Sequence, residues 1–530
     1  MTRAFLLTAL LFLAIAPARA GEATPACAGE MARIGSGALC GAVIDDRTKA
    51  FLGVPYAEST AGARRWTAPE PRRPWPGVLD ATRFGPSCPQ SAPTGAQSED
   101  CLSLNVWAPK KAKAGDGRPV MVSIHGGGFY VGSGAVPLLD GGALAARGGV
   151  IVVSMNYRLG ALGFLATDTL TGNYGFLDQQ LALRWVQDNI SAFGGDPGKV
   201  ALMGESAGAM SVGLHLLSAP ASAPLFRAAI MQSNFLALPY KPLADARAAG
   251  AVFKRGANCA DVACLRRLAV TDILAAQAVY SSELPTVFSG EEYYMPLGPV
   301  VDGGTIRRDP LDARALRENR KPFLIGANRD ETIAFYAGQE ISAMDYAARA
   351  AGFFGPDFQR VMDRFHSRPG NNSGIWATAM TQYLLQCSSR RAARAARAPV
   401  YVYAFEHHPS FPVNASDACR AEGIACHTAE LPFVFGSAQK LGARFTPQEE
   451  RLSGAMMDYW TRFAATLEPG DASGSGPRWP RFSAATPVYL RLDAPTISTP
   501  TDPLAEACDF WDAIGYELEP APATLQRRKF

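Results

Sequence analysis

The chain has 530 residues, of which 48% are hydrophobic and 19% charged, with a formal net charge of +3. That balance fits a globular protein with a sizeable core. A charge this small gives no footprint for nucleic acid or an acidic membrane surface, and the basic run Lys110–Lys113 reads as a solvated loop.

At the N-terminus, Thr2-Arg3 precedes an apolar stretch from Ala4 to Ala16, and Pro17-Ala-Arg-Ala20 supplies an A-x-A site. Together they read as a signal peptide over residues 1–20, cleaved after Ala20. As a membrane anchor the stretch falls short of the ~20 apolar residues that span a bilayer. No other segment is long and apolar enough, so residues 21–530 are expected to form an exported protein, periplasmic or secreted, with no membrane span. All ten cysteines lie beyond Ala20, and an even count permits complete pairing in an oxidising compartment. Their spacing suggests local loops: Cys27 with Cys40, Cys88 with Cys101, Cys259 with Cys264 and Cys419 with Cys426. Cys387 and Cys508 are then left as a long-range pair. With no C-x-x-C and only six histidines, a zinc site has little support.

Taken in order, Gly37–Gly41 and Ala50–Tyr56 read as short antiparallel strands, and Glu99–Ala108 as an alternating strand. Val120–Ile124 and Val150–Ser154 are β-branched apolar runs suited to buried central strands. A helix is predicted over Asp178–Phe193, with Leu181, Trp185 and Ile190 at helical spacing and Gly194-Gly195 as its stop. Val200–Met203 is a further strand and runs into Gly204-Glu205-Ser206-Ala207-Gly208, after which helix formers continue through Leu214 and Leu217. This is the strand–sharp turn–helix setting in which G-x-S-x-G lifts a serine hydroxyl out of a sheet. Ala228–Gln232, Pro322–Ala327 and Val400–Phe405 complete the predicted strands. Residues 241–290 are Ala-rich and helical in character, and Glu468–Pro477 is a surface loop. Strands alternating with helices imply an α/β protein: a mostly parallel sheet with helices on both faces and helical insertions over its carboxyl edge. No second core is evident, so residues 21–530 are expected as one domain.

Four motifs in order, Gly53-Val-Pro-Tyr56, Glu99-Asp-Cys-Leu-x-Leu-Asn105, Asn156-Tyr-Arg-Leu-Gly160 and Gly204-Glu-Ser-Ala-Gly208, resemble the type-B carboxylesterase family. Its members include cholinesterases, fungal lipases and bacterial esterases on the α/β-hydrolase fold. The resemblance runs from about Gly35 to Cys508-Asp-Phe-Trp511.

A serine nucleophile needs a base, and the base needs an acid to fix its tautomer. His427, in Cys426-His-Thr-Ala-Glu-Leu-Pro-Phe-Val-Phe435, resembles the family's base loop. Ile325-Gly-Ala-Asn-Arg-Asp-Glu331 follows a strand, and by resemblance Glu331 is the acid, with Asp330 as fallback or as a helix cap. Ser206…Glu331…His427 is the chain order of that fold. His215 reads as a packed histidine, and His407 and His408 end the strand Val400–Phe405, with a place lining the site the less favoured reading for them. His125-Gly-Gly-Gly128 follows Val120–Ile124, and by resemblance the N–H groups of Gly127, Gly128 and Ala207 form the oxyanion hole. Arg65 with Glu99 and Arg158 with Asp178 resemble bracing ion pairs. Glu205 and Ser233 are expected to tune His427, and Phe235, Leu236, Tyr293 and Met295 to line the substrate pocket. Asn234 stands where relatives carry glycine.

In cholinesterases and fungal lipases the loop matching Cys88–Cys101 is long and carries a choline-binding tryptophan or a lid. Here it is short and has no aromatic residue, which removes the cation–π site and any large lid. The expected protein is thus a secreted serine carboxylic-ester hydrolase working through an acyl-enzyme on a small-molecule ester. No metal or organic cofactor is implied. The alternatives are an esterase for a bulky natural-product or polycarboxylate ester, of the fumonisin-esterase kind, and an inactive binding protein on the same fold.

Overall fold

The computed structural model describes residues 27–92, 95–283, 295–336, 338–413, 417–420 and 423–516. The predicted signal peptide and Tyr293 lie outside the described residues. One large sheet contains β1 (Glu30–Ile34), β2 (Gly37–Val43), β3 (Thr48–Pro55), β4 (Val78–Ala81), β5 (Ser103–Pro109) and β6 (Arg118–Ile124). It continues with β7 (Ile151–Met155), β8 (Gly195–Glu205), β9 (Ala228–Gln232), β10 (Phe323–Asn328), β11 (Val400–Phe405) and β12 (Tyr489–Leu492). Across the sheet the order is β1-β2-β3-β5-β7-β6-β8-β9-β10-β11-β12, with β4 beside β2. Every pair from β7 to β12 in that order is parallel, and the β1-β2-β3-β5-β7 side is antiparallel.

The strand period of two sends alternate residues to opposite cores. Val120, Val122 and Ile124 of β6 join one cluster and Met121 the other, while β8 divides Val200 and Leu202 from Ala201 and Met203. Both faces are covered, which is why the sequence shows unbroken apolar runs rather than alternation. The alternation read into Glu99–Ala108 does not mark a wet face. Ser103 to Ala108 are all buried, and the Asn105 amide is satisfied by Gly53 N–H, the Gly134 carbonyl and Ser154 Oγ.

The first face carries α1 (Tyr174–Asn189) and α2 (Ala207–Leu217). A 3-10 turn, Ile190–Phe193, follows α1, and Gly194 at φ +94° stops it. The predicted helix therefore starts earlier, at Tyr174, and tightens in its last turn. Of residues 241–290, expected to be helical, 284–290 lie outside the described residues. Lys241-Pro242 instead pairs in parallel with Val300-Val301, and helices follow in α3 (Leu243–Gly256), α4 (Val262–Arg267) and α5 (Val270–Glu283). They pack Phe253, Leu265, Ile273 and Tyr280 against Leu162 and Leu165, on the segment beyond the carboxyl end of β7. The second face is covered by α6 (Pro447–Thr466), through Leu452, Met456, Tyr459, Trp460 and Phe463. A final helix, α7 (Ala505–Ile514), is joined by Cys387–Cys508 to a π-helical turn, Thr381–Cys387. The other disulfides are Cys27–Cys40, Cys88–Cys101, Cys259–Cys264 and Cys419–Cys426.

Candidate active site

The site gathers at the carboxyl ends of the parallel strands. At the end of β8 the chain turns so sharply that Ser206 takes φ 57°, ψ −127°, and α2 begins at once with Ala207. A non-glycine residue held there stores about 1–3 kcal/mol of strain, which the surroundings must hold in place. They do: Ser206 N–H donates to the Gln232 carbonyl (3.0 Å) and the Ser206 carbonyl accepts from Met210 N–H (2.9 Å). A Cβ on Gly204 would lie 2.5 Å from Gly208 backbone atoms, and one on Gly208 would overlap the Ile124 carbonyl. Both glycines are therefore dictated by close approach.

Neighbouring β6 delivers His125-Gly126-Gly127-Gly128, with Gly127 at φ +103° and Gly128 at φ +62°. A Cβ at Gly126 would sit 2.9 Å from Glu205 Oε2 and 3.0 Å from Ser206 Cβ, so this loop lies against the elbow. Among the described residues nothing accepts from Gly127 or Gly128 N–H, and Ala207 N–H is a first-turn donor of α2. Three donors are thus left beside the serine. The loop is anchored from the Cys88–Cys101 segment: Gln90 Oε1 accepts from Gly132 N–H (2.8 Å) and Gln90 Nε2 donates to the Gly132 carbonyl (2.9 Å). His125 Nδ1 donates to the Gly126 carbonyl (2.8 Å), its ring stacks on Tyr157, and burial pulls it down to about 4, keeping it neutral.

The loop after β10 carries Glu331, and the loop after Ala425 carries His427. His427 Nδ1 lies 2.6 Å from Glu331 Oε2, while Glu331 Oε1 accepts Asn328 N–H (2.6 Å). Asp330 does not reach the imidazole and does not cap a helix with its side chain. Its carboxylate accepts from Ala425 N–H and Arg329, bracing the base loop from outside. On the other side of the ring, Glu205 Oε1 is 3.0 Å from His427 Nε2. Burial works against an imidazolium here, yet the Glu205 and Glu331 charges outweigh it and lift His427 to about 9. Burial also lifts Glu205, to about 8. The two groups are coupled: an ionised Glu205 holds a proton on His427, and a protonated Glu205 releases it.

The rings of Phe235 and Phe335 lie 5.6 and 5.3 Å from that of His427. Leu236 is buried beside Phe235, and Met295 packs near Gly298 and Phe129. Ser233 hydroxyl is buried and makes no hydrogen bond among the described residues, so it is not bonded to the imidazole network. The Asn234 amide nitrogen turns to the Ala209 carbonyl at the back of α2 (3.0 Å). His215 packs on Phe176 between Ser222 and Gln179, and His407 contacts Glu449. Arg65–Glu99 and Arg158–Asp178, each at 2.7 Å, brace the scaffold. A cavity of about 170 Å³ opens beside Gly126, Gly127 and Glu205, walled by aliphatic Val136, Leu138 and Leu431.

Sequence reasoning missed Phe335, Gln232, Asn328 and Glu430. Glu430 Oε2 accepts from Asn328 Nδ2 (2.7 Å) and its Oε1 from Gln232 Nε2 (3.0 Å). Glu430 stands within the base-loop segment quoted above, the only signal that pointed to it.

The carboxylesterase family model matches residues 30–353 and 357–511. Acetylcholinesterase of Bungarus fasciatus is 32% identical over 545 aligned positions, which cover 94% of this chain and 88% of that protein. Para-nitrobenzyl esterase of Bacillus subtilis (strain 168) is 35% identical, with 86% of this chain and 93% of that protein covered. A solved structure of a PNB esterase superposes with a TM-score of 0.80 at 34% identity, covering 91% of this chain and 99% of its own.

Proposed function

Since the chain belongs to the carboxylesterase family and is a carboxylic-ester hydrolase, we propose that it works through Ser206, His427 and Glu331 by an acyl-enzyme route. The observation that carries this reading is the 2.6 Å contact of His427 Nδ1 with a fully buried Glu331, while Nε2 lies 3.0 Å from Glu205, the residue before a serine held at positive φ. Glu331 fixes the tautomer with the proton on Nδ1, which leaves Nε2 to accept the Ser206 proton as Oγ attacks the ester carbonyl. Gly127, Gly128 and Ala207 N–H groups receive the oxyanion. Collapse expels the alcohol, which takes the proton from His427, and water then releases the acid by the same steps in reverse.

The substrate we infer is a neutral small-molecule ester. The Cys88–Cys101 segment offers no aromatic face for a quaternary ammonium group, and the uncharged rings of Phe235 and Phe335 are what stands beside His427. Five disulfides fit an extracellular protein, and among the described residues no helix is long and apolar enough to cross a membrane. Export by cleavage near Ala20 is the route we propose.

The test is Ser206→Ala with p-nitrophenyl butyrate. Turnover is expected to fall by about 10⁴- to 10⁶-fold with an unchanged unfolding midpoint. A fluorophosphonate should label the wild type and not the variant. Wild-type rates in Ser206→Ala would sink the reading.

A further inference from the structure

Three carboxylates crowd one imidazole, and the structure treats them differently. Glu331 bonds the ring directly. Glu205 Oε1 faces the ring from its other side, 3.0 Å from Nε2. Glu430, fully buried, has an amide N–H on each of its oxygens: Gln232 Nε2 on Oε1 and Asn328 Nδ2 on Oε2.

Neither amide can be turned round. Gln232 Oε1 accepts from Trp460 Nε1–H (3.0 Å), a group that only donates, so its nitrogen must face Glu430. Asn328 Nδ2 also donates to the Cys426 carbonyl (2.7 Å), a group that only accepts, so its nitrogen faces Glu430 too. A carboxyl group met by two donors is favoured in its charged form, because a protonated one would oppose its own O–H to an N–H. Asn328 also gives its backbone N–H to Glu331. One residue at the end of β10 therefore ties together the acid, the carbonyl that precedes His427, and Glu430.

We propose that Asn328 and Gln232 are positioning residues that hold Glu430 as an anion near His427 and so set the pH at which His427 becomes a base. The proposal rests on His427 being the base. The titratable groups around the imidazole are Glu205 at the end of β8, Glu331 after β10, Glu430 on the base loop and Tyr403 of β11, whose charge interactions reach all three glutamates. Burial and then the Glu331 charge lift Glu430 to about 7, and the Asn328 hydrogen bond opposes them. Without that bond Glu430 takes up a proton near neutrality. An anion is then lost beside the imidazolium, whose pKa falls.

The experiment is the pH profile of kcat/KM for p-nitrophenyl butyrate in wild type, Asn328→Ala, Glu430→Gln and the double variant. Asn328→Ala and Glu430→Gln are each expected to move the acid limb down by about half to one pH unit. Asn328→Ala should move it no further in the Glu430→Gln background, while kcat falls roughly 10- to 100-fold through misplacement of the loops. A lowered kcat with an unmoved limb, or an equal shift by Asn328→Ala in both backgrounds, overturns the proposal. If Asn328→Ala does not fold, the isosteric Glu430→Gln decides alone, since a folded variant with the wild-type limb refutes the role. Fluorophosphonate labelling of Ser206 keeps the two levels apart. No labelling means the triad reading itself has failed, whereas labelling with an unmoved limb fails the clamp only.

Discussion

A side chain at Gly208 would meet the carbonyl oxygen of Ile124, a backbone atom of the adjacent strand with little freedom to yield. Gly128 differs: nothing lies within 4 Å of where its Cβ would be, yet its φ is +62°. Gly208→Ala is therefore expected to lose about 3 kcal/mol through overpacking. Gly128→Ala should lose about 1–2 kcal/mol, through the left-handed backbone alone. Urea unfolding of the two variants checks the order, and equal midpoints would contradict it. The same contrast explains what could be read in advance. Ser206, Glu331 and His427 stand in segments whose local pattern declares them, a serine between glycines or a pair of acids after an apolar run. Asn328, Gln232 and Glu430 have no such pattern. Their meaning lies in hydrogen bonds between segments far apart in the chain, and an amide or a glutamate has no spacing that announces its partner.

Among the elements, α6 holds the second face of the sheet and starts with a capping box. Thr446 Oγ1 accepts from Glu449 N–H, and Glu449 reaches back to Thr446 N–H. Glu449 also accepts from Ser410, through both its N–H and its hydroxyl, so the cap fastens the loop after β11 as well. Thr446→Ala is expected to cost about 1 kcal/mol while leaving turnover per folded molecule unchanged. Denaturant midpoints and active-site titration measure the two halves of that statement. No helix is predicted over this stretch above, although Thr446-Pro-Gln-Glu449 is a legible start signal. The central strands were legible because burial on both faces leaves runs of β-branched residues. The π-helical turn at Thr381–Cys387 was not, since no local preference distinguishes it from α-helix.

At the scale of the molecule, two buried histidines outside the proposed triad make stability depend on pH. Burial holds His125 at about 4 and His215 at about 3, against about 6.5 for an unfolded histidine. Below that value the unfolded chain binds more protons than the folded one. Their contribution is therefore fully present above pH 6.5 and is lost as pH falls toward 4 and then 3. Each group adds at most about 1.4 kcal/mol per pH unit to the slope. Glu205 and Glu430, lifted to about 8 and about 7, act in the opposite sense over the same range. The histidine share is therefore read as a difference: the thermal midpoint of wild type minus that of His215→Gln should fall from pH 7 to pH 4.5, and a constant difference would contradict this. The parallel sheet has one further consequence. The glycine loop leaves β6, Ser206 follows β8, the proposed acid Glu331 follows β10, and the proposed base His427 arrives only after β11. No fragment with fewer strands holds a complete site, and the contacts that finish it join residues widely separated along the chain. Recovered hydrolysis during refolding is thus a clock for the final closure: tryptophan burial returns as the cores collapse, and turnover returns only when the segment around His427 docks.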